Sequence, residues 1–486
     1  MSPQVLIAGA GPTGLTLAID LARRGVEVRI ADRAAEFFAG SRGDGIQPRT
    51  LEVFDDLGVL EAIIAAGSPP APLRVHLGGQ FVTERRMSEP REPTPAVPYP
   101  NPWVLGQSDT EAILRERLAE FGVRVESSTE LADFTQDAAV VTATLVGPNG
   151  PETVRADYLV GADGGRSTVR KTLGIPFEGT TDESIRMLLG DVRADALDHE
   201  YGYWFAEPDA PMEGIALMPL PGGRLFQFAA PLAADTEPTR AVLQGYVDRL
   251  TRRTDITLAE PAWSTVWRPN IRLAQRFRDG RVFLAGDAAH VHPPTGGQGM
   301  NTGIQDAYNL GWKLAAALRS AAPLDDRYPD GEALLDSYDT ERRTVAARVL
   351  GISTDLLEKH RDGDEDAMRR GAETQQLDIT YRTPGATGPL LAGDRAPDAP
   401  LRRADGGTLR LFDVFRGPHA TLLCFGTPAA AETGGVRAYS IIPPDRAPAD
   451  GELVAVAGHA FADYAAEPGT RVMVRPDGHL AWRIDT

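Results

Sequence analysis

One stretch of the sequence, GDAAHVHPPTGGQGMNTGIQDA from Gly286, combines histidines, prolines and glycines ahead of a helical pattern. These residue types fit three kinds of site: a metal centre, a catalytic base or a backbone cradle for a bound group. A metal centre needs several converging ligands with supporting contacts, but His290 and His292 lie two positions apart with no third ligand nearby in sequence. An imidazole titrates near neutral pH and could act as a base. The pattern favours loop histidines that pack beside a cradle.

A glycine fingerprint opens the chain, in QVLIAGAGPTGLTLAIDLARRGVEVRIADR. The apolar run Val5 to Ala8 predicts a buried parallel strand, and the apolar spacing after it predicts a helix. Between them, Gly9 permits a tight turn, Gly11 leaves room for a pyrophosphate, and Gly14 lets the helix and strand pack closely. Asp32 ends the next strand, where its carboxylate can accept hydrogen bonds from a ribose. The combination predicts a dinucleotide site without separating FAD from NAD.

Two later segments repeat the order of strand, glycine turn and helix. In RADYLVGADGGRSTVRKTLGI, Asp163 and Gly164 follow an apolar strand; a plain helix cap explains the same residues, because Asp and Ser often satisfy the first amides of a helix. In the segment around Gly286, the strand Val282 to Ala285 precedes a helix from about Gln298 to Leu318. The N-terminal end of that helix could stabilise negative charge on a reduced cofactor.

The three motifs, in this order over about residues 1 to 350, resemble the group A flavoprotein aromatic hydroxylases, which share the para-hydroxybenzoate hydroxylase fold. The resemblance implies an α/β fold in which a Rossmann-like FAD-binding domain is interleaved with a β-sheet substrate domain. It also implies bound FAD, NADPH or NADH as a transient hydride donor, and O2 as a co-substrate. No metal is implied.

The same resemblance assigns site residues. Asp32 would bind the adenosine ribose, Gln107 would contact the pyrophosphate, and Asp287 would hold the ribityl chain. Relatives often carry Glu at the position of Asp32, and the shorter acid can still reach a ribose hydroxyl. No catalytic base is assigned; the residues nearest the flavin ring would be Pro293, Gly296 and Gly297. The full cofactor-binding set is Gly9, Gly11, Pro12, Thr13, Gly14, Asp32, Arg33, Arg42, Gln107, Asp163, Gly164, Gly286, Asp287, Pro294, Gly299, Met300 and Asn301.

The motifs also suggest domain boundaries. We expect the FAD-binding domain in residues 1–71, 101–183 and 272–388, and the substrate-binding domain in residues 72–100 and 184–271. Residues 389–486 resemble the thioredoxin-like C-terminal domain of larger family members. Cys424 has no CxxC partner, so disulfide chemistry is not expected there, and the domain should serve packing or oligomerisation.

Short strands between about residues 184 and 267 predict a sheet across the cofactor, which in the family forms the roof of the substrate pocket. Aromatic residues on strands are commonly core, so we expect only some of them to reach a substrate. The pocket candidates are Tyr203, Phe205, Met218, Phe226, Phe228 and Pro293.

The function implied by the resemblance is hydroxylation of an aromatic substrate through a flavin C4a-hydroperoxide. A polyketide-type or other multi-ring phenolic natural product is favoured, as in antibiotic biosynthesis. One alternative is an antibiotic-inactivating, Baeyer–Villiger or epoxidising monooxygenase of the same fold. Another is a non-catalytic flavin-dependent protein that binds a reactive intermediate.

Composition limits partners and compartment. A net charge of −18 and a pI near 5.0 disfavour a nucleic-acid partner, which requires a clustered basic face. No apolar stretch approaches the ~20 residues of a membrane helix, and the N-terminus does not resemble a signal peptide. A single cysteine fits a reducing compartment. We therefore expect a cytoplasmic protein, possibly a homodimer.

Overall fold

The computed structural model describes residues 3–181, 185–232, 236–293, 297–361, 370–432 and 434–485. Within these ranges no helix is long and apolar enough to cross a membrane. Up to the second glycine motif and the strand beyond it, the elements are β1 (Val5–Ala8), α1 (Pro12–Ala22), β2 (Val28–Ala31), β3 (Gly45–Ile46), α2 (Pro48–Leu57), α3 (Leu60–Ala66), β4 (Leu73–Leu77), β5 (Gln80–Arg85), β6 (Trp103–Val104), α4 (Gln107–Glu120), β7 (Val125–Glu126), β8 (Glu130–Gln136), β9 (Val141–Gly147), β10 (Gly150–Ala156), β11 (Tyr158–Gly161), α5 (Thr168–Thr172) and β12 (Phe177–Thr181).

The rest of the chain continues through a second group of strands, two long helices and a C-terminal domain. In order, the elements are β13 (Met187–Arg193), β14 (Gly202–Glu207), β15 (Ala210–Pro219), β16 (Leu225–Pro231), α6 (Arg240–Thr251), β17 (Trp263–Trp267), β18 (Asn270–Ala274), β19 (Arg278–Asp279), β20 (Val282–Leu284), β21 (His290–Val291), α7 (Gly299–Leu318), α8 (Gly331–Arg361), β22 (Pro400–Arg402), β23 (Thr408–Arg410), α9 (Leu411–Phe415), β24 (Ala420–Phe425), β25 (Val436–Ile442), β26 (Glu452–Ala455), α10 (His459–Asp463), β27 (Arg471–Val474) and β28 (Leu480–Ile484).

A largely parallel sheet, ordered β19-β20-β11-β1-β2-β7, forms the centre of the FAD-binding domain. All its neighbours pair in parallel except β19 and β20. Strand β1 is buried along its whole length, as expected for a strand covered on both faces. Helix α1 begins at Pro12, whose fixed φ and missing N–H suit the first helical position. Strands β1, β11 and β20 each lead into one glycine motif at the carboxyl edge, where open α/β sheets bind ligands.

The substrate sheet contains seven strands in the order β17-β13-β16-β15-β14-β4-β5. Its pairs are antiparallel except β14 and β4, which run in parallel. The sheet draws strands from residues 73–85 and 187–267, so the chain enters it twice. Helix α6 covers one face, with Leu243, Val247 and Leu250 in the shared core. The opposite face remains partly exposed along its central strands.

The C-terminal domain has a mixed sheet in the order β23-β22-β26-β25-β24-β27-β28, parallel at its centre and antiparallel at its edges. It is joined to α7 and α8 by buried polar contacts. Trp312 on α7 donates to Oδ2 of Asp477 at 3.1 Å. Glu341 on α8 receives Lys313 and Arg475, each at 2.7 Å. The C-terminal domain therefore packs against α7, the helix whose first turn borders the third glycine motif.

Candidate active site

The three glycine motifs meet at two contacts that leave no room for a β-carbon on the glycine. A β-carbon at Gly9 would lie 2.2 Å from the carbonyl oxygen of Ala162, which directly precedes Asp163. A β-carbon at Gly286 would lie 2.5 Å from Oγ1 of Thr13. Glycine at these positions therefore lets the first motif touch both of the others.

A groove follows the carboxyl edge of the parallel sheet at this junction. A β-carbon at Gly11 would meet no protein atom within 4 Å, so the backbone there faces open space. The Asp32 carboxylate accepts hydrogen bonds from the backbone N–H groups of Ala10 and Ala34, each at 2.8 Å. These bonds orient the carboxylate beside the glycine turn, and its remaining lone pairs can accept ligand hydroxyls.

Charged and polar side chains from separate segments share the groove. Burial raises the pKa of the Asp287 and Glu111 carboxyls, and the positive charge of exposed Arg42 partly offsets the shift in each. Asp287 remains accessible to solvent, as expected for a residue that lines a deep groove. Nε2 of Gln107 donates to Oε1 of Glu111 at 2.7 Å. Arg33 is exposed just past the end of β2.

Asp163 fulfils the helix-capping role that the sequence left open. Its Oδ2 accepts hydrogen bonds from the backbone N–H groups of Thr168 at 2.7 Å and Val169 at 3.2 Å. Its Oδ1 is buried and has no hydrogen-bond partner among the described residues. At Gly164, φ is +80° and a β-carbon would meet no atom within 4 Å. The motif thus caps α5 and leaves open space at its glycine.

A buried ion-pair network anchors the third motif to α7. Nε2 of His290 lies 2.7 Å from Oδ2 of Asp306. The same carboxylate accepts the backbone N–H of Gly286 at 3.0 Å and Nε–H of Arg342 at 2.7 Å. Across the described ranges, His, Cys, Asp and Glu form no group of three or more that could hold a metal ion. His290 therefore orients the loop through packing and hydrogen bonding.

His292 is a neutral side chain packed beside the start of α7. Burial lowers the pKa of this imidazole to about 4. Its Nδ1 lies 3.0 Å from the carbonyl oxygen of Pro293, and a β-carbon on Gly299 would lie 3.5 Å from Nε2. This geometry supports packing of His292 against the first turn of the helix rather than a role as a base at neutral pH.

Asn301 joins β3 and the residue after it to the start of α7. Its Oδ1 accepts the backbone N–H of Gln47 at 2.8 Å, and its Nδ2 donates to the carbonyl oxygens of Gly45 at 2.8 Å and Gly297 at 2.7 Å. A β-carbon at Gly43 would lie 3.8 Å from Cβ of Met300. The predicted residues Pro294 and Gly296 lie outside the described residues.

Asp44, which the sequence analysis did not identify, carries a titratable carboxyl into this junction. Burial raises the pKa of Asp44 to about 6, backbone hydrogen bonds oppose the shift, and the negative charge of Asp191 adds to it. An acid with such a pKa can exchange a proton near neutral pH. The only sequence signal was its position in GSRGDGIQPRTLEVF, two residues after Arg42.

Most of the predicted pocket aromatics lie on the wrong face of the substrate sheet. Tyr203, Phe205, Phe226 and Phe228 are buried in one cluster with the apolar side of α6. Met218 belongs to the opposite face and is half-buried. Because side chains alternate along a strand, these four rings share the face that the helix covers, whereas Trp204 lies on the opposite face with Met218. These four residues are therefore core, and Met218 remains a pocket candidate.

Gln227 identifies the face that points toward the FAD-binding domain, because its Nε2 donates to the carbonyl oxygen of Ser41 at 2.6 Å. Two cross-strand rows lie on this face, and every member except the buried Asp191 is half-buried. The side chains of the second row project little from the sheet, because two of its three members are alanines. The rows are Asp191, Gln227 and Met218, and Leu189, Ala229 and Ala216.

Two family models match the chain. Residues 2–353 match the family model described as FAD binding domain. Residues 389–486 match the model described as aromatic-ring hydroxylase, C-terminal. The chain therefore belongs to the FAD-dependent aromatic-ring hydroxylases and is a flavoprotein monooxygenase of that family.

Individual relatives extend over nearly the whole chain. A flavin-dependent monooxygenase of Mycobacteroides abscessus is 44% identical and covers 98% of this chain and 96% of its own. The 12-dehydrotetracycline 5-monooxygenase/anhydrotetracycline 6-monooxygenase of Streptomyces rimosus is 34% identical, covering 99% and 95%. The solved ternary complex of aklavinone-11 hydroxylase with FAD and aklavinone has a TM-score of 0.81 at 26% identity and covers 99% and 95%.

The groove fits the FAD that this family binds. Its glycine floor is open at Gly11, where a β-carbon would project into unoccupied space. The Asp32 carboxylate is oriented by the two backbone N–H groups and retains acceptor capacity. Asp287 and Arg42 supply opposite charges further along. FAD is the cofactor of the family, with NAD(P)H and O2 as co-substrates.

Proposed function

We propose that this monooxygenase hydroxylates a multi-ring phenolic substrate of the polyketide type. The observation that carries the proposal is the low second row of the substrate sheet, Leu189, Ala229 and Ala216, on the face toward the FAD-binding domain. Two adjacent alanines leave room for a broad flat molecule. The neighbouring tetracycline and aklavinone hydroxylases, which act on multi-ring compounds, support this choice.

FAD would be held along the groove by residues of all three motifs. Asp32 would bind the ribose, the amides after Gly11 would face the pyrophosphate, and Asp287 would bind the ribityl chain. Bound FAD supplies electron transfer from NAD(P)H and activation of O2. The remaining members of the proposed set are Gly9, Pro12, Thr13, Gly14, Arg33, Arg42, Gln107, Asp163, Gly164, Gly286, Pro293, Gly297, Gly299, Met300 and Asn301.

The chain's own residues would place the substrate and move its proton. Met218, Gln227 and Ala229 would form the roof over the ring, and Gln227 would also present its amide oxygen to a polar substituent, because its amide nitrogen is bound to Ser41. Asp44 would accept the phenol proton, because hydrogen bonds from Gln227 and to Asp191 hold its loop at Ser41 against the roof, and burial raises the pKa of its carboxyl to about 6. Loss of that proton enriches the ring carbons in electron density where oxygen is added.

Stopped-flow absorbance near ~450 nm, where oxidised flavins absorb, tests the function directly. The FAD-loaded protein is mixed with NADPH or NADH, with and without a panel of tetracyclic and anthracyclic phenols. We expect one compound to accelerate flavin reduction and to gain one oxygen atom by mass spectrometry. The proposal would be contradicted if no aromatic compound accelerated reduction of the flavin and no oxygenated product formed.

The role of Asp44 has its own test. Because the carboxylate form is the base, kcat/KM should fall as the pH drops through about 6. Asp44→Asn should remove this limb and lower kcat/KM at neutral pH by about 10²- to 10⁴-fold. The matched control is Asp209→Asn, at an exposed turn of the same sheet. If kcat/KM of Asp44→Asn still falls as the pH drops through about 6, a group other than Asp44 accepts the phenol proton.

We also propose a cytoplasmic homodimer without a nucleic-acid partner. The edge strand β5 exposes Phe81 and Val82 by 58% and 53%, and unpaired edges of this kind commonly pair with another chain. The free, buried thiol of Cys424 and the net charge of −18 support the compartment and the exclusion of nucleic acid. Light scattering after size-exclusion chromatography tests the dimer, and Phe81→Glu should convert it to a monomer.

We infer that the functional units follow the boundaries expected from sequence: residues 1–71, 101–183 and 272–388 bind FAD, residues 72–100 and 184–271 bind substrate, and residues 389–486 pack against both long helices. The shared sheet of β4, β5 and β13 to β17 supports this division. Limited proteolysis should cut first near residue 389 if the last unit is separate.

A further inference from the structure

Four hydrogen bonds hold Ser41, in the loop before β3, against the substrate sheet. The N–H of Ser41 donates to Oδ2 of Asp191 at 2.8 Å, and its hydroxyl donates to Oδ1 at 2.5 Å. Nε2 of Gln227 donates to the carbonyl oxygen of Ser41 at 2.6 Å and to its Oγ at 3.1 Å. Asp191 and Gln227 are cross-strand partners on β13 and β16. These three residues are called the clasp below.

The clasp is buried and joins two domains. Ser41 and Asp191 are each 2% exposed, although 150 positions separate them in the chain. A carboxylate removed from water makes strong hydrogen bonds, and leaving a buried partner unsatisfied is costly. One backbone position of the FAD-binding domain is therefore fixed relative to the roof of the pocket.

Neighbouring contacts hold the same loop from both sides. Gly40 packs flat against the indole of Trp263 on β17, where a β-carbon would lie 1.8 Å from the ring. On the other side, the N–H of Leu105 donates to the carbonyl oxygen of Asp44 at 2.8 Å. Asp44 follows Ser41 by only three residues, so a shift of the clasp moves the Asp44 carboxyl.

We propose that Asp191 is a positioning residue of the reaction, acting with Gln227 through Ser41 to set the distance between the pocket roof and the Asp44 carboxylate. This inference rests on the proposed role of Asp44 as the base. Asp191, Gln227 and the roof residue Met218 occupy one cross-strand row. Ser41 ties the loop that carries Asp44 to this row, so the row that would hold a substrate ring and the loop are fixed relative to each other. A phenol placed under the roof then presents its hydroxyl at a fixed distance from the base.

The test uses FAD-loaded Asp191→Asn and Ser41→Ala proteins. In Asp191→Asn, only one of the two side-chain atoms that face Ser41 remains an acceptor and the negative charge is lost, so the N–H and the hydroxyl of Ser41 can no longer both donate to residue 191. We expect kcat for hydroxylation to fall on the order of 10²-fold, the cost of about 1 Å of misplacement. KM for the aromatic substrate should stay unchanged because the roof is intact, and less product should form per NAD(P)H consumed. Ser41→Ala keeps the backbone bond and should show a smaller loss.

The matched control is Asp195→Asn, which changes a half-exposed carboxylate just beyond the same strand, with 51% of its side chain exposed. It should leave kcat and KM at the values of the unmodified protein. An equal loss of kcat in this control would show that the effect is not specific to the clasp and would overturn the proposal.

Hydrogen–deuterium exchange of residues 38–47 in the oxidised holoenzyme gives a readout independent of turnover. The Ser41 amide should exchange about tenfold faster in Asp191→Asn, as expected for one lost buried hydrogen bond. Unchanged exchange, or faster exchange with unchanged kcat, would overturn the inference. If the unmodified protein hydroxylates no aromatic compound, the proposed function fails instead, and exchange alone decides whether the clasp holds the loop.

Discussion

Phe228 and Ala229 are adjacent on β16 but lie on opposite faces of the substrate sheet, so paired substitutions test which face meets the substrate. Phe228 is fully buried in the cluster beneath α6, whereas Ala229 lies in the half-buried row that faces the FAD-binding domain. Phe228→Ala should lower the free energy of unfolding by about 3–5 kcal/mol, because it leaves a cavity in a packed core. Ala229→Leu should leave this free energy nearly unchanged and instead place an isobutyl group in the pocket.

The expected cost to substrate binding follows from overpacking. Forcing a ligand against an extra branched side chain costs about 1–3 kcal/mol, which corresponds to a rise in KM of about 5- to 150-fold. The assay is titration of NAD(P)H oxidation with the stimulating phenol, beside urea unfolding followed by circular dichroism. The reasoning is refuted if Phe228→Ala raises KM while retaining stability, or if Ala229→Leu lowers stability while retaining KM.

Three further substitutions test the cofactor groove and the loop beside it. Gly11→Ala should fold normally but bind FAD about tenfold more weakly or worse, because its β-carbon would enter the groove. Gly14→Ala should fail to fold, because its β-carbon would lie 2.0 Å from the carbonyl oxygen of Gly9. Flavin fluorescence titration distinguishes them, and equal FAD affinity in Gly11→Ala would contradict the groove assignment. The lowered pKa of His292, about 4, means that the unfolded chain binds more protons between pH 4 and 6.5, so stability should fall as the pH drops through this window. His292→Gln should recover roughly 2 kcal/mol of that loss in urea unfolding at pH 4 relative to pH 7, and an identical pH slope in both proteins would disprove it.

Local sequence pattern was sufficient for the elements that carry the motifs. The expected helix from Gln298 to Leu318 is α7, Gly299–Leu318, and the expected strand Val5 to Ala8 is β1. Residues 301–315 of this helix are buried all round. Asn301 and Lys313 in that run bond to partners far away in sequence, and helical periodicity carries no information about such partners.

The candidate site was less predictable because its decisive contacts are long-range. Alternation along β14 and β16 separates two faces, but it does not reveal that α6 covers the one with Tyr203 and Phe226. Asp44 and Asp191 are ordinary acids in sequence, and only the meeting of the loop with the sheet leaves Asp191 buried and Asp44 half-buried. The spacing of His290 and His292 was enough to disfavour a metal site. The pairing of His290 with Asp306 could not be predicted, because it depends on how the loop folds onto α7.

The contacts between α7, α8 and the C-terminal domain also bear on the order of events during synthesis. Arg475 follows its partner Glu341 by 134 residues. At synthesis rates of about 5–20 residues per second, that interval lasts on the order of ten seconds. During this interval, the Asp477 carboxylate that accepts the indole N–H of Trp312 has not been synthesised. Of Lys313 and Arg475, which both pair with Glu341 in the folded protein, Lys313 alone is present. We expect α7, the helix proposed to border the flavin, to reach its final packing only after β27 and β28 have been translated. Binding of FAD would then be a late step in the maturation of the protein.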